Sequence, residues 1–186
     1  MANPDADEPL SGTSVGVRIS TRGSTDTMMA EGTLQAEAGW HRQVAVDAFN
    51  GAWELIELAS RTPEQERELL GLAFTSRYHW AIVGGDEQAM VGDWLIGHVA
   101  SLLGFGELAH RFASNALDIC RANGWADWRL ASALEGMARA SAATGDDHAR
   151  DRYASEARRV LATVEDKDDR DLIASQLGSI PGLAPA

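Results

Sequence analysis

Three histidines, His79, His98 and His110, fall on three successive segments of helical periodicity, and neutral imidazoles from adjacent helices can converge on one metal ion. Their spacing does not enforce such convergence, and a wheel at about 100° per residue puts His79 roughly opposite Arg77 on its own helix, so no metal ligand set is assigned. Arg77 and Trp80 lie within the apolar stripe of Leu69, Leu70 and Ala73. An arginine in that position needs an acceptor. Either its packed stem carries the guanidinium to a carboxylate or to helix-end carbonyls, or Arg77 clamps an anion in a pocket walled by Trp80. Cys120 sits on a core stripe without a basic neighbour in sequence, the setting of a buried inert thiol rather than a nucleophile. Glu64, Glu66 and Glu68, and the run Glu165-Asp166-Lys167-Asp168-Asp169, stand at expected helix starts. Negative charge there favours the helix macrodipole, so these groups read as solvated termini rather than as an acid–base pair.

The sequence contains no His-Glu-x-x-His, no Cys-x-x-Cys, no nucleophile elbow and no strand-borne phosphate loop. Gly84-Gly85-Asp86 and Gly104-Phe105-Gly106 are preceded by helical patterns and fit helix C-terminal caps. No catalytic residue, cofactor or metal is therefore assigned, and a binding role without chemistry leads over an enzyme.

These side chains must be positioned by a chain of 186 residues, the size of one domain able to bury a core of its own. Its 28 acidic and 16 basic residues give a formal net charge of -12, which argues against a nucleic-acid partner whose affinity would come from a basic patch. A single cysteine, an acidic start at Asp5, Asp7 and Glu8, and the lack of any apolar run near the roughly 18 residues of a membrane span predict a soluble, cytoplasmic protein with no membrane partner. Residues 1–35, rich in Gly, Ser, Thr, Asp and Pro, read as a disordered, flexible arm; the alternation over Val15-Gly16-Val17-Arg18-Ile19-Ser20 is too isolated to stand as a strand. Residues 36–180 read as the folded domain and 181–186 as a tail. No proline occurs between Pro63 and Pro181, and Ala, Leu, Glu and Arg dominate, so the body is expected to be all-α. Glycine breaks cut it into about seven helices near 37–60, 64–83, 87–103, 106–122, 126–144, 147–163 and 168–179. Ala109, Phe112, Ala113, Ala116, Leu117 and Cys120 form one apolar stripe, whereas 87–103 is apolar on two sides and should be covered on both.

Phe112-Ala113-Ser114-Asn115-Ala116 recurs as Tyr153-Ala154-Ser155-Glu156-Ala157, and the glycine breaks that precede the two copies, Gly104 and Gly145, stand at the same offset as the copies themselves. Two helices per period predict a helical-hairpin solenoid. On these residues the chain resembles the tetratricopeptide-repeat family. Ile96-Gly97, Gly104, Ala109 and Ala116-Leu117 match, in order, the family's Leu-Gly pair, its inter-helix glycine, the small residue opening the second helix and the closing Ala-Leu. The second unit keeps the order with Met137-Ala138, Gly145, Ala149, Tyr153 and Ala157, one residue out of register after the glycine. The period exceeds the family's usual length of about 34 residues and the closing proline is missing, so the chain resembles a divergent, long-repeat relative found among bacterial proteins.

The resemblance implies a right-handed solenoid of antiparallel helix pairs in which the first helix of each pair lines a concave groove. The groove face is then Trp94, His98 and Ser101 on 87–103, and Trp128, Ser132, Glu135 and Arg139 on 126–144, within about 60° on a wheel. Two tryptophans beside hydrogen-bonding groups form an anchor surface for a partner protein or peptide, unless they pack beneath a neighbouring helix or the arm. The alternative is a small-molecule ligand or biosynthetic chemistry in a pocket between helices around Arg77, His79, Trp80, Trp94, His98 and His110. A third arrangement is a two-fold homodimer that buries the same aromatics.

Overall fold

The computed structural model describes residues 22–183, with side chains from residue 33 onward. The chain divides into two units, residues 1–35 and 36–186. Seven helices follow in order among the described residues: α1 Arg22–Ile56, α2 Pro63–Val83, α3 Asp86–Leu102, α4 Gly106–Ala122, α5 Trp128–Thr144, α6 Asp147–Leu161 and α7 Lys167–Gly178. No strand occurs among them, so the body is all-α.

The first unit contributes helical backbone from Arg22 onward, within residues expected to form a flexible arm. The run Met28-Met29-Ala30-Glu31 and the stretch Leu34 to Ala38 are good helix formers, so the helical pattern extends backwards from residue 37. The alternating stretch at 15–20 and most of the proposed tail lie outside the described residues.

In the second unit, local signals set the helix ends. Thr62 and Gln65 form a reciprocal capping box before Pro63, Asp127 caps α5, Asp146 caps α6, and Asp166 accepts from the backbone N–H groups of Asp168 and Asp169 at the start of α7. Gly145 ends α5 in the left-handed region at φ 79°, where a side chain is strained.

Helices α3 and α5 form the centre. Gly92 to Ala100 and Ala133 to Ser141 are buried without interruption, so each helix is covered on all sides. α3 packs against α2, α4 and α5, and α5 packs against α3, α4, α6 and α7. The flanking helices bury single stripes, Ala109, Ala113, Ala116, Leu117 and Cys120 on α4 and Ala154, Ala157 and Leu161 on α6. Small residues permit this spacing. A Cβ at Gly97 would lie 3.2 Å from the Ala113 nitrogen and 3.3 Å from the Ala109 oxygen, which fixes how closely α3 crosses α4. α1 joins the same core through Ala45, Ala48 and Ala52, and the Ser76 hydroxyl on α2 donates to the Ala45 carbonyl at 2.9 Å.

Candidate functional site

The polar centre of the molecule lies on the facing sides of α3, α5 and α7. The Trp94 indole Nε1 donates to Glu135 Oε2 at 3.0 Å, and the Arg139 guanidinium donates to Glu135 Oε1 through Nε at 2.8 Å and contacts it through Nη2 at 2.7 Å. The same Nη2 donates to the Gln176 carbonyl at 2.7 Å and to the Ser179 hydroxyl at 2.8 Å. Glu135 is 0% exposed and Arg139 4%, so this ion pair is sealed from water. Its carboxylate is saturated by charge-assisted bonds, the condition under which a buried pair is tolerated. Gly136 permits the geometry, because a Cβ there would meet the Trp94 ring at 2.9 Å.

An aromatic stack continues the network toward α1. Trp53 stacks on Trp94 with ring centroids 5.9 Å apart, and His98 lies against both, at 5.7 and 5.3 Å. Trp94 and Glu135 are 41 residues apart in the chain. Trp53 precedes Trp94, and Gln176 follows Glu135, at that same interval, so the four residues form a ladder on α1, α3, α5 and α7. His98 and Arg139 share the spacing.

His98 is buried and its Nδ1 has no hydrogen-bond partner. Burial first, and the Arg139 charge second, hold its pKa well below the usual histidine value. The unfolded chain, with an ordinary imidazole near 6.5, therefore takes up a proton before the native state does. The protonation equilibrium of His98 costs no stability well above about pH 6.5, and stability is lost as pH falls from there toward the depressed native pKa. The stability of the wild type against urea should fall as pH is lowered from about 7.5 to 5, by up to about 1.4 kcal/mol per pH unit from this group. His98→Phe, which keeps a ring between the tryptophans, should lack that increment. An identical pH dependence in both proteins would show that His98 is not the responsible group.

Beside this network lies a cavity of about 430 Å³. Phe49 and Trp53 of α1, Met90, Val91 and Trp94 of α3, Trp128 and Ser132 of α5, and Asp169, Leu172, Ile173 and Gln176 of α7 line it, with Glu57 just beyond α1. Trp128 is half-buried, and the Arg129 guanidinium carbon lies 5.4 Å from its ring centroid. Arg129 is itself balanced by Glu87 at 2.9 Å, an ion pair without hydrogen-bond alignment, and by Asp127 at 3.3 Å. Partial burial, followed by the neighbouring charges of Asp166, Asp168 and Asp127, raises the Asp169 pKa above the usual carboxylate value. Comparisons with protein families, with curated proteins and with solved structures return no match for this chain. The geometry of the chain's own residues is thus what bears on function.

Of the residues expected to form a groove face, Trp94, His98, Glu135 and Arg139 come together, but they are buried under Trp53 and α7. Trp128 and Ser132 line the cavity, while Ser101 donates to the Gly97 carbonyl within its own helix and borders a smaller depression with Arg139 and Ser179. Of the alternative pocket, Trp94 and His98 are in contact, and the remaining residues are dispersed. Arg77 finds its acceptor in Asp93, Nε to Oδ1 at 2.6 Å, and burial raises the Asp93 pKa although Arg77 opposes the shift. His79 Nδ1 lies 2.7 Å from His41 Nδ1, Trp80 borders a separate depression with Phe49 and Val91, and His110 is exposed on α4. Among the described residues no three His, Cys, Asp or Glu side chains are grouped to hold a metal ion, and no helix is long and apolar enough to cross a membrane. Cys120 is buried and its thiol is pushed up to about 11, chiefly by burial, which keeps it protonated and unreactive at neutral pH.

Phe49, Trp53, Glu57 and Gln176 are not singled out by motif or wheel, and Asp169 reads from sequence only as a solvated helix-start charge. The signal that finds two of them is the repeat interval, which leads from Trp94 back to Trp53 and forward through Glu135 to Gln176.

Proposed function

We propose that the protein is a non-catalytic binding module, built as a solenoid of antiparallel helix pairs, whose recognition element is the aromatic cavity between α1, α3, α5 and α7. The observation that carries this reading is the cavity itself. At about 430 Å³ it has the size of a small-molecule site, and its mainly apolar lining with a few polar groups, Ser132 and Gln176 among them, has the corresponding chemistry. The repeat architecture is supported by the constant interval along the ladder and by contacts of α3 with α5 and α5 with α7, each pair separated by one intervening helix. In such an array the cavity lies on the face lined by the first helix of each pair. The buried Trp94, Glu135 and Arg139 network then acts as the floor that fixes this face, and the ligand meets Phe49, Trp53 and Trp128.

A second reading, an extended peptide anchored by one side chain, is favoured by the neighbouring depression at Trp80, which shares Phe49 and Val91 with the cavity and so continues the surface along α1 and α3.

The test uses the neutral dye Nile red and the full chain. Wild-type protein should bind the dye with enhanced emission, and Ser132→Phe, which fills the cavity from α5, should reduce that binding at least about tenfold, the effect of about 1.4 kcal/mol, with helicity unchanged. Dye binding that is absent from the wild type, or undiminished in a folded Ser132→Phe variant, overturns the assignment.

A further inference from the structure

The ionisable side chains lining the cavity all carry the same sign. They are Glu57, immediately after α1, and Asp169, in the first turn of α7. Neither carboxylate forms an ion pair or a side-chain hydrogen bond among the described residues. No arginine pairs with them: Arg139 is matched by Glu135 and Arg129 by Glu87 and Asp127, while Arg61 and Arg170, their neighbours in sequence, donate to backbone carbonyls instead. Four aromatic residues, Phe49, Trp53, Trp94 and Trp128, share the lining with these two carboxylates.

An aromatic ring presents negative electrostatic potential at its face, and a cation held near several such faces is attracted by each of them. Carboxylates in the lining add direct attraction, strengthened where water is partly excluded. The same surroundings disfavour two other classes of ligand. An anion would meet unpaired carboxylates. A compact metal ion would exchange its hydration shell for a mainly apolar wall, a large desolvation cost with few oxygens in return. A substituted ammonium group is weakly hydrated, and its alkyl substituents also gain from contact with tryptophan.

We propose that this cavity binds an organic cation, a substituted ammonium group carried on an apolar body, with the aromatic rings around the ammonium and Glu57 and Asp169 as its counter-charges. The assignment rests on the cavity being the recognition element and adds the chemical class of its ligand. The acidic surroundings of Asp169 agree with it, since a bound cation relieves the mutual repulsion of that carboxylate with Asp166, Asp168 and Asp127.

The test compares three compounds that share a benzyl body: benzyltrimethylammonium, benzyl alcohol and phenylmethanesulfonate, each titrated into the full chain and followed by ligand-observed NMR. Benzyltrimethylammonium should bind at least about tenfold more tightly than the alcohol, and the sulfonate should bind most weakly. The double variant Glu57→Gln/Asp169→Asn should lose most of the cation's advantage and leave the affinity for the alcohol unchanged. Raising the salt from about 50 to about 500 mM should weaken the cation alone, as expected for partly exposed counter-charges. Equal affinity for cation and alcohol, absence of cation binding, or a preference that survives in the double variant overturns the proposal. The two levels of inference separate cleanly. Nile red binding that is sensitive to Ser132→Phe, together with no cation preference, removes the ligand class and keeps the binding site, whereas loss of Nile red binding as well removes both.

Discussion

Glu135→Leu is expected to lower the free energy of unfolding by about 3–5 kcal/mol, read from urea denaturation followed by circular dichroism. Glu135 is fully buried and its two oxygens accept from Trp94 and Arg139. Leucine fills a similar volume but leaves the Arg139 guanidinium, only 4% exposed, without a counter-charge, and leaves the Trp94 N–H without an acceptor. Desolvating an uncompensated cation is the dominant cost. The double variant Glu135→Leu/Arg139→Met should therefore recover most of the loss, because both charges are removed and apolar volume replaces them. The Gln176 carbonyl keeps partners after this change, since the Ser179 hydroxyl donates to it at 2.7 Å. A loss of less than about 1 kcal/mol in the single variant would mean that water reaches Arg139 and that the pair is not a sealed unit.

Trp94→Ala should cost about 3–5 kcal/mol, the usual penalty for removing a large aromatic from a core. The indole lies between Trp53 and α5, in contact with His98, so alanine leaves a hole bounded by two rigid rings and a helix that cannot close it without moving. Trp94→Phe separates packing from hydrogen bonding. It keeps a ring against Trp53 but deprives Glu135 Oε2 of its donor, a change worth about 1–3 kcal/mol. Thermal and urea unfolding should thus rank wild type above Trp94→Phe and Trp94→Ala last. A phenylalanine variant as damaged as the alanine variant would show that the hydrogen bond, rather than the packed volume, carries the contribution of this residue.

Much of the architecture is legible from punctuation. Pro63, Gly84-Gly85, Gly104, Gly124 and Gly145 interrupt long helical runs, and α2 to α5 begin and end, and α6 begins, within a few residues of those marks, whereas no such mark separates α6 from α7. The wheel also sets Trp94 with His98 on one face of α3 and Glu135 with Arg139 on one face of α5, and these four side chains lie together in the structure. What one helix cannot reveal is whether its face stays open. Trp53 and Gln176, which cover that face, lie one full repeat before Trp94 and one full repeat after Glu135, and no helix-length window contains both partners. The same limit applies to Arg77. Its place on an apolar stripe requires an acceptor, but Asp93 is recognised only when α2 and α3 are set side by side. Glu57 and Asp169 resemble ordinary helix-end charges until the helices bring them into the lining of one cavity.

The contact of Arg139 with Gln176 and Ser179 also bears on what holds α7 in its helical form. α7 has 12 residues, near the lower limit at which even a favourable sequence holds a helix alone in water. Its last turn is reached from outside, by a guanidinium on α5 placed at the negative end of the helix. Arg139 thus adds in trans a cationic donor to an end that Ser179 already caps from within, and whose own final turn has no basic residue. The final helix thus draws part of its stability from the central one, and the wall it gives to the cavity rests on that contact.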